Sequence, residues 1–327
     1  MSRFLVSIGL LFLFGSAAEC RGELVWRKLP SGTLSHLRAL YFVDSETGWA
    51  GGSSATLLRT SDGGDSWSLK KIDGVDTILD IHFTDQRTGW LLCEKDIFGP
   101  SADTPTVILR TSDGGETWNA ANIETGRERF SRFMLDANGG IAGALGESGT
   151  LLMPAPDLKD FRRVKLANRA MLTGGLIDAS GRSIIVGGLG TVLISMDRGS
   201  SWAAATVQRT GQRLRLNAVA QSDDKTTLIA VGRDGQILRS TDSGASWSVV
   251  RSPVSVELTD VVLIGDGRAV AIGEEGVAIT STDEGATWSL SATVSKHRLE
   301  RIHATRKRIF AVGFGGSVIS SSVFGTK

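Results

Sequence analysis

The segment Thr60-Ser-Asp-Gly-Gly-Asp-Ser-Trp67 follows a pattern, Ser/Thr-x-Asp-x-Gly-x-Ser/Thr-Trp, that is found five times in the chain. Five complete copies of an eight-residue pattern do not arise by chance. Internal repetition of this kind is typical of solenoid and propeller folds, so the repeat has to be delimited before strands are assigned. The copies, which we call boxes, run from Thr60 to Trp67, Thr111 to Trp118, Ser195 to Trp202, Ser240 to Trp247 and Ser281 to Trp288.

A Gly-x-x-Gly turn and an alternating strand precede the boxes, as in Gly273-Glu-Glu-Gly276-Val-Ala-Ile-Thr. In the copies led by Gly52, Gly187, Gly232 and Gly273, the first glycine stands ten residues before the box aspartate and fifteen before the tryptophan. This spacing predicts where units that have lost their box must lie.

Two further units follow from the spacing. Counted from Gly146 it reaches Phe161, so residues 154–161 (PAPDLKDF) are interpreted as a degenerate box. Counted from Gly313 it runs past the last residue, but the strand Trp26-Arg-Lys-Leu stands near the N-terminus. We expect this strand to complete the unit begun by Gly313, because pairing of the two chain ends leaves no sheet edge open.

The leading positions of the units are spaced 41, 53, 41, 45, 41 and 40 residues apart, and the strands between them alternate with period two. This fits four short strands per unit. We predict an all-β fold, a seven-bladed β-propeller of four-stranded blades with N-/C-terminal strand closure, as a single domain over residues 24–327. The leading positions are Gly52, Cys93, Gly146, Gly187, Gly232, Gly273 and Gly313.

The box itself is interpreted as a structural turn. Its aspartate is expected to accept hydrogen bonds from turn N–H groups, its glycine to supply a positive φ angle and its tryptophan to pack at the start of the outer strand. An aspartate repeated from blade to blade cannot define one catalytic or metal site. The residues concerned are Asp62, Trp67, Asp113, Trp118, Asp197, Trp202, Asp242, Trp247, Asp283 and Trp288.

Composition excludes several classes of protein. The 36 basic and 35 acidic side chains leave a net charge of +1, which disfavours nucleic-acid binding. Two cysteines cannot build a disulfide scaffold or a four-thiolate zinc site, and the four histidines have no spacing that suggests a shared metal. Walker, Gly-x-Ser-x-Gly, His-Glu-x-x-His and EF-hand motifs are absent from the sequence. We therefore predict neither a cofactor nor a metal.

Residues 1–18 have the layout of a secretory signal peptide. Arg3 precedes an apolar run over residues 4–14, and Ser16-Ala17-Ala18 forms a small-residue cleavage site. The run is too short to span a bilayer as a helix. We expect an extracytoplasmic chain, in a periplasm, in a thylakoid lumen or secreted, with no transmembrane span. Cys20 leaves lipid attachment open, although Glu19 stands where a lipoprotein signal has a small residue.

The repeats resemble the Asp-box, or BNR, repeats of sialidases and of the photosystem II stability/assembly factor family. The second resemblance is closer and covers nearly the whole mature chain. It is carried by Phe42-Val-Asp-Ser-Glu-Thr-Gly-Trp49-Ala-Gly-Gly followed by Leu58-Arg-Thr-Ser-Asp-Gly-Gly-Asp-Ser-Trp67. It implies a propeller and, in phototrophs, a lumenal, non-enzymatic helper that binds a newly made reaction-centre subunit.

Candidate binding residues lie where the connections between blades share one face with the turns between second and third strands. Arginine is frequent there and favours anionic partners through bidentate pairing, although arginine that only confers solubility is the alternative. We expect a protein partner, with a membrane-protein segment as one candidate. About ten extra residues within 94–106 form a further loop on this face. The predicted partner-binding residues are Arg127, Arg129, Arg132, Arg169, Arg213, Arg215, Arg298 and Arg301.

The alternative function is an Asp-box glycoside hydrolase of the sialidase type. Such an enzyme needs a tyrosine nucleophile or a pair of carboxylates, for which Tyr41 or Asp80 and Asp260 are the candidates. The alternation of a first strand already explains Tyr41, and the two aspartates are single acids on strands. We therefore predict a protein-binding scaffold and no enzyme.

Overall fold

A computed structural model describes residues 24–95, 104–121, 123–136, 140–154, 161–208 and 213–323. The predicted signal peptide, Cys20, most of the insertion and the centre of the degenerate box lie outside the described residues. The described part consists of strands joined by turns. Its only helical segments are short 3₁₀ turns at Glu147–Gly149, Arg233–Gly235, Glu274–Gly276 and Phe314–Gly316.

The strands of the first half form three antiparallel sets of four, after an initial strand Arg27–Leu29 (β1). Blade one contains Leu37–Phe42 (β2), Gly48–Gly52 (β3), Thr56–Thr60 (β4) and Ser68–Lys71 (β5). Blade two contains Thr77–Phe83 (β6), Gly89–Glu94 (β7), Thr106–Thr111 (β8) and Asn119–Ala120 (β9). Blade three contains Phe130–Leu135 (β10), Ile141–Gly146 (β11), Thr150–Pro154 (β12) and Phe161–Lys165 (β13).

The second half continues the series. The described strands form six hydrogen-bonded sheets, because one parallel pair, Leu135 opposite Leu176, joins blades three and four into a single eight-stranded sheet. Blade four contains Leu172–Ile177 (β14), Ser183–Gly187 (β15), Val192–Ser195 (β16) and Ala203–Ala204 (β17). Blade five contains Leu216–Gln221 (β19), Leu228–Gly232 (β20), Ile237–Ser240 (β21) and Ser246–Val250 (β22), with Thr206–Val207 (β18) parallel to β22. Blade six contains Leu258–Leu263 (β23), Ala269–Gly273 (β24), Ala278–Ser281 (β25) and Ser289–Ser291 (β26). Blade seven contains Leu299–Ala304 (β27), Arg308–Gly313 (β28) and Val318–Ser322 (β29).

The two ends of the chain meet in blade seven. Its fourth strand is β1, which pairs antiparallel with β29 from Arg27 opposite Ser320 to Leu29 opposite Val318. Trp26 is buried beside this pairing, with 4% of its surface exposed. The all-β propeller and its terminal closure, both expected from the sequence, are therefore confirmed.

The leading glycines stand at the ends of second strands because the backbone is crowded there. A methyl group at Gly232 would lie 2.0 Å from the carbonyl oxygen of Arg215, and one at Gly273 equally close to that of Glu257. In each case the next residue donates its N–H to the same carbonyl, at 2.9 Å. The first glycine therefore permits a close approach of two backbones, whereas Gly276, the second of its pair, has a φ of +71°.

Each box is a hydrogen-bonded turn with the same internal bonds. In the first box the Ser66 hydroxyl and the Ser66 N–H donate to Asp62, and these bonds lower the pKa of Asp62 to about 2. The Trp67 Nε1 donates to the Gly64 carbonyl at 3.1 Å. Gly64 has a φ of +83° and packs on the preceding blade, since a methyl group there would come within 2.7 Å of Phe310.

The hydrophobic core lies between blades rather than inside them. Every buried cluster of the described residues joins neighbouring blades, as Leu29, Leu40, Phe42 and Phe310 do at the junction of blades seven and one. Each blade therefore depends on its neighbours for burial, and the ring depends on closure.

Candidate functional site

The propeller has two unlike faces. The turns between second and third strands, which follow the leading positions, share one face with the connections between blades; we call it the lead face. The boxes and the turns between first and second strands share the opposite face, which we call the box face. The antiparallel registers fix this division, because Leu37 at the start of β2 lies opposite Gly52 at the end of β3.

A ring of bulged residues surrounds the propeller axis at the lead face. The pairing of each innermost strand skips one residue near its start, for example Arg38 between Leu37 and Ala39. A β-bulge of this kind re-aims a side chain out of the ladder. The seven skipped residues line one cavity of about 170 Å³; they are Arg38, Leu79, Ser131, Thr173, Asn217, Thr259 and Glu300.

Three polar members of this ring join neighbouring blades. The Thr173 hydroxyl donates to the Leu216 carbonyl at 2.7 Å, and the Thr259 hydroxyl to the Leu299 carbonyl at 2.6 Å. The Asn217 side-chain amide donates to the Leu258 carbonyl at 2.8 Å and so joins blades five and six. These hydrogen bonds hold the three side chains in place, so they form an ordered side of the cavity.

Beneath the ring lies a buried network of two aspartates and two arginines from four blades. Arg301 of blade seven approaches Asp80 of blade two at 3.3 Å and Asp260 of blade six at 4.0 Å, and Arg132 of blade three approaches Asp260 at 3.4 Å. Both carboxylates also accept a backbone N–H of the next blade, from Phe133 at 2.8 Å in the case of Asp80. Burial raises the pKa of both carboxyls, and Arg132 opposes that shift. The formal charges of the four groups sum to zero.

Arg298 is surrounded by acids at the edge of the cavity. Its Nε donates to Glu300 at 2.8 Å, it bonds Glu274, and it lies 3.9 Å from Glu257. Glu300 also lies 2.8 Å from the imidazole of His36. Arg298 and Arg301, both predicted to bind a partner, are thus engaged within the chain, although both line the cavity.

Arg132, also predicted to bind a partner, is likewise engaged, in the network with Asp260. The remaining five predicted arginines lie on exposed connections of the lead face. Arg169, Arg213 and Arg215 are exposed, and none has a carboxylate within 4 Å in the described part of the chain. Arg129 is also exposed, with Glu94 3.8 Å away. Arg127 is exposed on the same connection. These five side chains are the ones that can reach a partner without disturbing the axial network.

Sequence reasoning missed Arg38 and Phe314, two exposed residues of the lead face. Arg38 is exposed, and among the described residues it has no carboxylate within 4 Å. Phe314, 53% exposed in the turn after Gly313, lies between the rings of His36 and His297 at centroid distances of 5.6 and 5.8 Å. Arg38 could have been found by comparing the residues that follow the first apolar position of each inner strand.

The candidate residues for glycoside hydrolysis are not arranged for it. Tyr41 packs edge-to-face between His82 and His303, and burial raises the pKa of its hydroxyl. Burial also lowers the pKa of His303 to about 4. Asp80 and Asp260 are tied to arginines and backbone N–H groups and do not face an open cleft as a pair. The hydrolase alternative is therefore not favoured.

The described residues lack both a metal-binding cluster and a membrane-spanning helix. They contain no group of three or more histidine, cysteine or acidic side chains placed to hold a metal ion. They also contain no helix of sufficient length and hydropathy to cross a membrane.

Comparison with known proteins places these features in context. A family model described as "Photosynthesis system II assembly factor YCF48" matches residues 176–321. The "Photosystem II assembly lipoprotein Ycf48" of Synechococcus sp. (strain CC9902) is 23% identical over 259 residues, covering 76% of this chain and 73% of the relative. A solved structure described as "YCF48 bound to D1 peptide" superimposes with a TM-score of 0.69 at 19% identity, covering 94% of this chain and 97% of that one.

The same architecture is found in proteins of other function. A streptogramin B lyase superimposes with a TM-score of 0.73 at only 8% identity, covering 94% of this chain and all of that one. At such identity the likeness concerns the fold alone. The fold and the boxes together define an Asp-box β-propeller. Within that class, the chain is similar to photosystem II assembly factors, through the family model over residues 176–321 and through the cyanobacterial relative.

Proposed function

We propose that this protein is a non-enzymatic, extracytoplasmic scaffold that binds a segment of a partner protein on its lead face. The observation that carries the proposal is that the arginines of this face are exposed, whereas the acids of its axial cavity are bonded within the chain. Exposed Arg129, Arg169, Arg213 and Arg215 surround an axial cavity whose acids are already bonded within the chain. Such a surface attracts acidic protein segments and pairs with carboxylates.

The comparisons support a photosystem II assembly role for this docking. One similar structure is described as bound to a D1 peptide, so a peptide can serve as ligand for a propeller of this type. We propose a membrane-protein segment exposed outside the cytoplasm as the partner class. No nucleic acid or cofactor is needed. The name of the cyanobacterial relative includes a lipid modification, which keeps Cys20 open as an attachment site.

Capture of partners from detergent-solubilised membranes of the source organism tests the proposal. The test variant reverses three exposed lead-face charges, Arg129→Glu, Arg169→Glu and Arg213→Glu. The control reverses three exposed box-face charges, Arg87→Glu, Arg198→Glu and Arg306→Glu, and therefore has the same net charge. We expect one membrane-protein partner to be captured by wild type and control and lost from the test variant. Equal capture by all three proteins would contradict binding on the lead face.

A further inference from the structure

The axial cavity contains hydrogen-bonding capacity that no group of the described chain uses. Arg38, Arg132 and Arg301 all line it, from blades one, three and seven. Arg301 is 9% exposed, and its buried Nε has no hydrogen-bond partner among the described residues. A buried guanidinium donor left unpaired is unfavourable, so a ligand that supplied an acceptor there would gain a bond that the protein alone lacks.

The charges around the cavity are divided unequally. Arg298 is outnumbered by Glu257, Glu274 and Glu300, so the formal charges of this cluster sum to −2 and its side of the cavity disfavours an anion. Arg132 and Arg301 share Asp80 and Asp260, which lie deeper, and each contact is single rather than bidentate. Arg38 has no such partner in the described part of the chain. The side of the cavity formed by blade one is thus the one with an uncompensated cation.

The shape of the cavity restricts what can bind. It is about 170 Å³, which suits a single small anionic group and the chain that carries it, not a folded domain. Its floor is the buried ion network, and the side formed by Thr173, Asn217 and Thr259 has its donors engaged with backbone carbonyls. An entering anion would therefore find no free donor on that side, whereas guanidinium groups and the Ser131 hydroxyl line the rest of the cavity.

From this geometry we infer that the axial cavity is a receptor for one carboxylate, held between the Arg38 guanidinium and the unpaired donor of Arg301. The inference rests on the proposed function and deepens it, since the carboxylate belongs to the docked segment. It is either the chain terminus of that segment or an aspartate or glutamate side chain. The exposed arginines further out would attract the segment, and the axial site would fix its register.

Fluorescence anisotropy with synthetic peptides tests the inference without the natural partner. The probe is an alanine pentamer with an acetylated N-terminus, an uncharged fluorophore and a free C-terminal carboxylate; its control has an amidated C-terminus. A second, amidated pentamer carries one central glutamate, with glutamine as its control. We expect at least one acidic peptide to bind more tightly than its neutral control, and binding to weaken at higher ionic strength. Which acidic peptide binds identifies the source of the carboxylate.

Variants locate the site. Arg38→Ala removes an exposed side chain and is expected to weaken binding of the acidic peptide about tenfold or more. Arg213→Ala removes another exposed arginine of the same face, outside the cavity, and is expected to weaken that binding much less than Arg38→Ala does. Arg301→Lys keeps the charge but removes the Nε donor, and is expected to weaken binding as well.

Two outcomes would overturn the inference: no acidic peptide binds better than its neutral control, or Arg213→Ala weakens binding as much as Arg38→Ala. In either case the charge-reversed lead-face variant could still lose its membrane partner. Failure of the carboxylate site is thereby distinguished from failure of the proposed function.

Discussion

Thr60 illustrates that a box depends on more than its aspartate and tryptophan. Its hydroxyl accepts the N–H of Gly64 at 2.9 Å and donates to Asp62 at 2.8 Å, and the side chain is 2% exposed. Ser or Thr occupies this position in all five boxes. The hydroxyl satisfies an N–H that the glycine turn buries, which explains why the pattern needs an oxygen at its first position.

Replacing Thr60 with valine keeps the shape of the side chain but removes this acceptor. We expect Thr60→Val to lower the free energy of unfolding by about 1–3 kcal/mol, because the buried Gly64 N–H loses its partner. Thr60→Ser, which retains the hydroxyl, is the control and should cost much less. Urea unfolding followed by tryptophan fluorescence measures both. A valine variant as stable as the serine variant would contradict this role of the hydroxyl.

The box aspartates also predict a pH dependence. The bonds from Ser66 place the pKa of Asp62 at about 2 in the folded chain, below the usual 3.8. Because the pKa is lower in the folded chain than in the unfolded chain, the ionised carboxylate stabilises the fold at pH values above the unfolded-state pKa. This contribution is lost as the pH falls towards the folded-state pKa, here between about pH 4 and pH 2. We expect the stability advantage of wild type over Asp62→Asn to shrink across that window. Urea midpoints at pH 7, 4 and 3 measure it, and an advantage that stays constant would argue against the bonded carboxylate.

Among the elements, the innermost strands do most to build the site. Each has at or next to its start an apolar residue paired to the leading position, and bulges directly after it. The bulge places one side chain on the axis while the next returns to the ladder. Blade seven shows the three roles in order: Leu299 is buried in the core, Glu300 lines the cavity and Arg301 pairs with Asp80 in the network. One bulge repeated around the ring therefore produces both the cavity and its ionic floor.

The closing strand β1 gives a prediction at the same scale. Trp26 is 4% exposed and packs in the cluster between blades six and seven, whereas the adjacent Val25 is 79% exposed. We expect Trp26→Ala to lower the unfolding free energy by about 3–5 kcal/mol and Val25→Ala to change it by less than about 0.5 kcal/mol. Hydrogen exchange should also accelerate in β29, the pairing partner of β1. An unchanged exchange rate in β29 would show that closure does not depend on Trp26.

The repeat could be predicted from sequence because its signals are local. The ten-residue spacing from Gly52 to Asp62 spans one turn and the single strand β4 that leads into the box. The closure followed from a unit that lacked its last strand. Which arginines form ion pairs within the chain and which stay exposed could not be predicted in this way. Arg301 and Asp80 are 221 residues apart in sequence, so their pairing depends on the ring being closed. The exposed Arg213 and the engaged Arg298 look alike in sequence and differ only in what neighbouring blades place beside them.

For the whole molecule, the interblade cores and the axial network act together. The cores bind each blade to its two neighbours, whereas the network joins blades two and three to blades six and seven across the axis. Burying four ionised groups is costly unless each is paired, and an incomplete network is worse than an apolar one. The network therefore defines how the inner strands converge, and it supports the cavity above it.

Arg301 and Asp80 provide the test of that argument. Arg301→Met leaves Asp80 buried without its ion pair and is expected to lower the unfolding free energy by about 3–5 kcal/mol. Adding Asp80→Asn removes the stranded charge, so the double variant should recover part of that loss, with a coupling energy of about 0.5–3 kcal/mol from the double-mutant cycle. The side chains are 11% and 13% exposed, so added salt should screen the coupling only weakly. Additive effects of the two substitutions, or a coupling abolished by salt, would mean that the pair is solvated and that the cavity floor is not held by charge.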